Sequence, residues 1–143
     1  MVYLKFKIFH LWFFCLVAGV ILIDQASKIL VTAGGGEFLP NTGILFGFVK
    51  LQDRHFFTAA GIIILGFIYW FFRAQFKNLP FVLWLGYGLL VGGCVSNLSD
   101  RIIFGYVRDF IDLKIWLIFN LADVALSAGF LMIIFESILT RKH

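Results

Sequence analysis

Four long apolar runs limit what this chain can fold into: Ile8 to Val31, Phe56 to Phe72, Leu79 to Ser99 and Ile115 to Leu139. A helix of about 20 mostly apolar residues crosses the roughly 30 Å of hydrocarbon in a bilayer. At 62% hydrophobic and 14% charged residues over 143 positions, the chain has too little polar surface for a water-soluble domain. The expected fold is an all-α integral membrane protein. It is a single membrane-embedded domain over residues 1–143, with four transmembrane helices at about 8–31, 56–72, 79–99 and 115–139. The first run follows a basic arm, as a cleavable leader would. Its length and the lack of a small-residue cleavage site after it favour a retained span.

Two polar regions interrupt this pattern. Thr32 to Arg54 contains Gly34-Gly35-Gly36, and its GILFGFV segment from Gly43 suits a short strand. A small β element is therefore expected outside the bilayer. Asp100 to Lys114 forms the second loop, and Pro80 opens the third helix, where a missing N–H costs nothing. Gly86, Gly88, Gly92 and Gly93 give that helix a smooth face for close helix packing. Basic residues divide evenly between the two sides. Lys5, Lys7, Arg73, Lys77, Arg141 and Lys142 share the side of the termini, and Lys28, Lys50, Arg54, Arg101, Arg108 and Lys114 the other. The basic, acid-free N-terminal arm decides for cytoplasmic termini. The polar loops then lie at the outer face.

The net charge of +4 is dispersed, with no patch suited to nucleic acid. Cys15 and Cys94 lie in apolar runs and read as packing residues rather than a disulfide or a metal motif. No metal or cofactor is expected.

The chemistry-bearing residues concentrate between Val91 and Asp123, which holds Asp100, Asp109, Asp112 and Asp123 together with Asn97 and Asn120. Carboxylates at membrane depth are expensive and usually functional. Asp24 and Lys28 are four apart on the first helix and share a face. Asn97 and Asp100 are three apart, as are Asn120 and Asp123, so each amide lies one turn from a carboxylate. Two adjacent carboxylates share a proton, and one can then act as base toward water while the other donates to a carbonyl. Asp109, at the membrane rim, and Asp123, about two turns into the fourth span, could form such a pair if the loop folds back.

Each has a plainer reading. Asp24 with Lys28, and Asp100 with Arg101 and Asn97, could be structural ion pairs. Asp112 reads as a solvated loop residue. Asp123 has no neutralising partner on its own helix, although Arg101 or Arg108 could supply one.

DQASK, NTGILFGF, SNLSDR, VRDFID and FNLAD stand in that order along the chain. They resemble the five motif regions of bacterial lipoprotein signal peptidases, the signal peptidase II family. The resemblance covers nearly the whole chain. It implies an aspartic endopeptidase of the bacterial cytoplasmic membrane that removes the signal peptide of a diacylglyceryl prolipoprotein, cleaving before the lipidated cysteine. It implies contact with membrane lipid and inhibition by globomycin. Carried over by motif, Asp109 and Asp123 would be catalytic. Asp24, Lys28, Asn41, Gly43, Asn97, Asp100, Arg101 and Asn120 would support the site or bind substrate. Ser96 replaces a usual glycine, and Arg108 replaces a usual apolar residue. A cation beside Asp109 is expected to lower that carboxyl's pKa. Two alternatives stay open on the residues alone: an inactive relative that binds lipidated peptides, and a small transporter or proton relay.

Overall fold

The structure is a computed structural model that describes residues 2–42, 59, 61–66, 69–70, 79–115 and 117–140, excepting the side chains of 2–10. Among the described residues, three helices are long and apolar enough to cross a membrane. They are α1 (Val2–Ala33), α2 (Phe81–Phe104) and α3 (Leu121–Thr140). Of the expected span at 56–72, positions 59, 61–66 and 69–70 are helical and the rest lies outside the described residues. Between these helices run two short strands, β1 (Leu39–Asn41) and β2 (Val107–Asp109). They pair antiparallel, with Leu39 opposite Asp109, Pro40 opposite Arg108 and Asn41 opposite Val107.

Helix limits differ from the hydropathy reading, and at two of them a local reason is visible. α2 does not stop at Ser99 but runs on to Phe104. Its end is set by Gly105, which adopts φ 83 and donates its N–H to the Arg101 carbonyl 3.0 Å away. Glycine takes this left-handed conformation without the Cβ penalty. α3 begins at Leu121, not Ile115. Before it, Phe119 and Ile111 exchange backbone hydrogen bonds of 2.8 and 3.1 Å, which folds the intervening loop back on itself. Asp123 is therefore in the first helical turn rather than two turns deep. The strand expected in GILFGFV falls outside the described residues; the observed strand is Leu39–Asn41, just before it.

Polarity is arranged inside out. Trp12, Phe14, Leu22, Leu30, Phe130 and Phe135 point outward, while Asp24, Lys28, Ser96, Asn97, Asp100 and Asn120 are buried. In hydrocarbon, outward apolar side chains are at no disadvantage, so helices associate through packing and polar bonds instead. Gly88 and Gly92 meet α1 at Leu16 and Val20, while Gly86 and Gly93 meet α3. At Gly93 a Cβ would lie 2.6 Å from the Ala122 carbonyl oxygen. Only glycine permits that approach, which brings the first turn of α3 against the polar end of α2. An apolar cluster of Phe13, Trp84 and Tyr87 packs nearer the other end of α1 and α2. Cys15 and Cys94 are free.

Candidate active site

The polar end of the helix bundle is built in two connected layers. In the first, α1 presents Asp24, Gln25 and Lys28 toward α2. Lys28 Nζ lies 2.6 Å from Asp24 and 3.2 Å from Asp100, and donates to Asn97 Oδ1 at 3.1 Å. All three ammonium protons thus have acceptors. Asp24 also accepts from Ser96 Oγ at 2.7 Å and from the Ala122 N–H at 2.8 Å. The latter is an otherwise orphan donor in the first turn of α3. Both Asp24 and Lys28 are essentially inaccessible to solvent. Such a pair survives burial only because every remaining donor and acceptor is matched.

The second layer holds the two aspartates expected to act together. Asn120 precedes α3 and makes a reciprocal cap with Asp123. Asp123 N–H donates to Asn120 Oδ1 at 3.0 Å, and Asn120 N–H donates to Asp123 Oδ2 at 3.2 Å. This is the capping-box logic, here with asparagine and aspartate in the two roles. The Asn120 Nδ2 group donates to Asp109 Oδ1 at 2.6 Å and to Asn97 Oδ1 at 3.2 Å. Asn97 Nδ2 donates to Asp123 Oδ1 at 2.9 Å, and Asn41 Nδ2 to Asp109 Oδ2 at 2.7 Å. One asparagine therefore touches both carboxyl groups, and two more hold their outer oxygens.

Strand alternation explains how Asp109 arrives there. Asn41 stands opposite Val107, and side chains two apart share a face of a strand. Asn41 and Asp109 thus lie on one face of the small sheet and Arg108 on the other. Arg108 turns away to Asp100, with Nη2 2.8 Å from Oδ1 and Nε 3.3 Å from Oδ2. The expectation that Arg108 would depress the Asp109 pKa is overturned. Burial pushes the Asp109 carboxyl up to about 6, and the charge of Asp123 acts the same way. The amides of Asn41 and Asn120 and the charge of Lys28 oppose the rise. Asp109 is 1% exposed, whereas Asp123 is half-buried. A carboxyl that titrates near neutrality beside a second carboxyl can hold, donate and recover a proton during hydrolysis.

One spacing misled: Asn97 serves Asp123 rather than Asp100, three residues on. Asp100 is held by close contacts from Lys28 and Arg108, with an electrostatic interaction from Arg101 beside them. Arg101 interacts electrostatically with both Asp123 and Asp109. Asp112 pairs with Lys114 at the surface. Gly43 lies outside the described residues. Sequence reasoning passed over Gln25 and Ser96, which join the first layer. Gln25 Nε2 donates to Ser96 Oγ at 3.0 Å and to Asp100 Oδ1 at 2.9 Å. The available signal was a glutamine beside an aspartate in an otherwise apolar helix.

Buried carboxylates and amides held between span-length helices define a membrane protein with a two-aspartate site at one end of its bundle. A family model described as signal peptidase (SPase) II matches residues 16–139. A lipoprotein signal peptidase of Thermodesulfovibrio yellowstonii is 32% identical, over 83% of this chain and 89% of the relative. That of Pelotomaculum thermopropionicum is 37% identical, over 83% and 86%. A bacterial membrane enzyme solved by the in meso method at 2.3 Å superposes with a TM-score of 0.78 at 26% identity, covering 88% of this chain and 87% of that one. The chain belongs to the signal peptidase II family.

Proposed function

We propose that this protein is a lipoprotein signal peptidase, an aspartic endopeptidase that removes the signal peptide from diacylglyceryl-modified prolipoproteins before the lipidated cysteine. Family membership supports the activity. The observation that carries the site is that Asn120 donates to both carboxyl groups, to Asp109 through Nδ2 and to Asp123 through its backbone N–H. In this reading Asp109 and Asp123 are catalytic. They hold a water against the scissile carbonyl: one carboxylate takes a proton from the water while the other, protonated, donates to the carbonyl oxygen. The proton taken from water then passes to the leaving amine as the C–N bond breaks, and the diol hydroxyl returns a proton to the second carboxylate. Asn97, Asn120 and Asn41 orient the pair. Asp24, Lys28 and Asp100 support it from beneath. Arg101 and Gly43 belong to the substrate side.

The finer architecture forms part of the proposal. A fourth span at about 56–72 completes a single domain. The termini are cytoplasmic, and the strands and dyad sit at the extracytoplasmic face of the bacterial cytoplasmic membrane. The diacylglyceryl tail stays in membrane lipid while the peptide reaches the aspartates, and globomycin competes for the same place.

Purified protein in lipid or detergent is expected to cleave a diacylglyceryl-modified preprotein and to be inhibited by globomycin. Asp109→Asn and Asp123→Asn are each expected to lower cleavage by at least about a thousandfold, on the scale of losing a general acid or base, while still inserting in the membrane. Normal cleavage by either variant would remove that residue from the catalytic pair. Binding of lipidated peptide without cleavage by the unsubstituted protein would favour an inactive relative.

A further inference from the structure

Arg108 has no place in the motif-derived site, yet it is buried and makes four polar bonds. Its backbone N–H donates to Asp100 Oδ2 at 3.1 Å. Its Nε donates to the same oxygen at 3.3 Å, and Nη2 to Asp100 Oδ1 at 2.8 Å. Nη2 also donates to Gln25 Oε1 at 2.8 Å. Phe104 closes the remaining side, its ring centroid 4.5 Å from the guanidinium carbon. Strand β2 is thereby fastened to the last turns of α2 and to α1.

This fastening falls where the backbone most needs it. The sheet has only two three-residue strands, and such a ribbon is marginal alone. The residue facing Arg108 is Pro40, which has no N–H to offer. The neighbour on the opposite face of β2 is Asp109. A strand tied down through one side chain fixes the direction of the next, because successive residues point to opposite faces. Arg108 also completes a buried charge balance, with Lys28 and Arg108 set against Asp24 and Asp100.

We infer that Arg108 is a positioning residue for the aspartate dyad: clamped on Asp100 and Gln25, it fixes the backbone of β2 so that Asp109 meets Asn120 and Asp123. This inference rests on the two-aspartate peptidase reading. The charged groups facing the dyad and the clamp are Asp24 and Lys28 from α1, Asp100 and Arg101 from α2, and Asp123 from α3. Asn41 and Asn120 contribute only neutral amides.

The test compares steady-state cleavage of a lipidated preprotein by the parent, R108M, R108K and D109N across pH 5 to 9, with the folded fraction measured for each. R108M is expected to lose about ten- to a hundredfold in kcat with KM nearly unchanged, the scale of an ångström-level misplacement. Its pH profile should move to higher pH, because a displaced β2 loosens the Asn41 and Asn120 bonds that oppose the rise of the Asp109 pKa. R108K keeps the charge but not the planar fork. It is expected to share the low kcat and the shifted profile of R108M, and it tests the geometric clamp even where R108M does not fold. A purely structural role would lower the folded fraction and leave the profile of the folded molecules in place. An active parent with R108M or R108K at the parent's kcat per folded molecule overturns the inference and leaves the peptidase reading standing. A parent no more active than D109N overturns the peptidase reading and this inference with it.

Discussion

At the residue scale, Asp109 shows what placing a carboxyl in this setting costs. Its folded-state pKa of about 6 lies above the value near 3.9 for an unfolded chain. The folded protein therefore binds more protons between those values. The contribution of this carboxyl to stability is greatest below about pH 4 and is lost as pH rises through 6, by roughly 3 kcal/mol. Asp109→Asn removes this dependence. The substitution has its own fixed cost, since an amide cannot accept from both Asn41 and Asn120 as the carboxylate does. That offset is independent of pH. The difference in Tm between D109N and the parent is thus expected to move in favour of the variant as pH rises from 4 to 7. A difference that stays constant over that range would show that burial does not raise this carboxyl.

Residue identities were the most legible part of the site. Asp24, Lys28, Asn97, Asp100, Asn120 and Asp123 stand out as polar groups in apolar surroundings, and the structure gathers them with Asp109 and Asn41. Their partners were less legible. Spacing along one helix puts Asn97 beside Asp100, but their side chains follow what the neighbouring elements offer. Lys28 and Arg108 take Asp100, and Asp123 takes the Asn97 amide. Local periodicity carries no information about which tertiary partner wins.

At the scale of elements, hydropathy found the helices and misjudged their ends. Residues 115–119 are as apolar as a span, but the Phe119–Ile111 bridge takes them into the loop and Asn120 starts the helix. The residues that follow, NLAD at 120–123, carried the cap signal that the apolar count concealed. At the end of α2, Asp100 and Arg101 looked like a loop because charge normally marks one. Their interactions inside the bundle let the helix continue to the glycine that stops it.

The α2–α3 contact gives a prediction of its own. A methyl group at Gly93 would meet the Ala122 carbonyl, whereas one at Gly19 on α1 has nothing within 4 Å. Gly93→Ala is expected to destabilise the protein by about 1–3 kcal/mol, as overpacking does. It should also reduce cleavage by displacing the turn that carries Asp123. Gly19→Ala should leave both nearly unchanged. Equal Tm values for the two variants in the same detergent would mean that α3 yields without cost at this contact.

At the scale of the whole molecule, one membrane-embedded fold was legible because composition left no other solvent for so much outward apolar surface. Sidedness was not legible from charge counting, since the four-span reading of the sequence assigns half the basic residues to the side of the acids. Lys28 and Arg108 are spent on buried aspartates there and do not report on loop charge as the positive-inside rule assumes. Discounting them leaves the excess with the termini, in line with the orientation proposed above. With Cys15 and Cys94 replaced by alanine, a cysteine at Asp112 should react with a membrane-impermeant thiol reagent applied to intact spheroplasts. A cysteine appended after His143 should react only after lysis. The reverse pattern would invert the proposed orientation.

The Asp24–Lys28 pair has a consequence for biogenesis. A single aspartate or lysine at the centre of a helix costs about 2.5–3.5 kcal/mol on entering a bilayer. These two lie one turn apart and 2.6 Å from each other, so α1 carries no net charge at that depth. It can be delivered to the lipid as a neutral rod before α2 and α3 emerge from the ribosome. Only when α3 arrives does its Ala122 N–H find Asp24. α1 thus enters the membrane with the acceptor for α3 already in place.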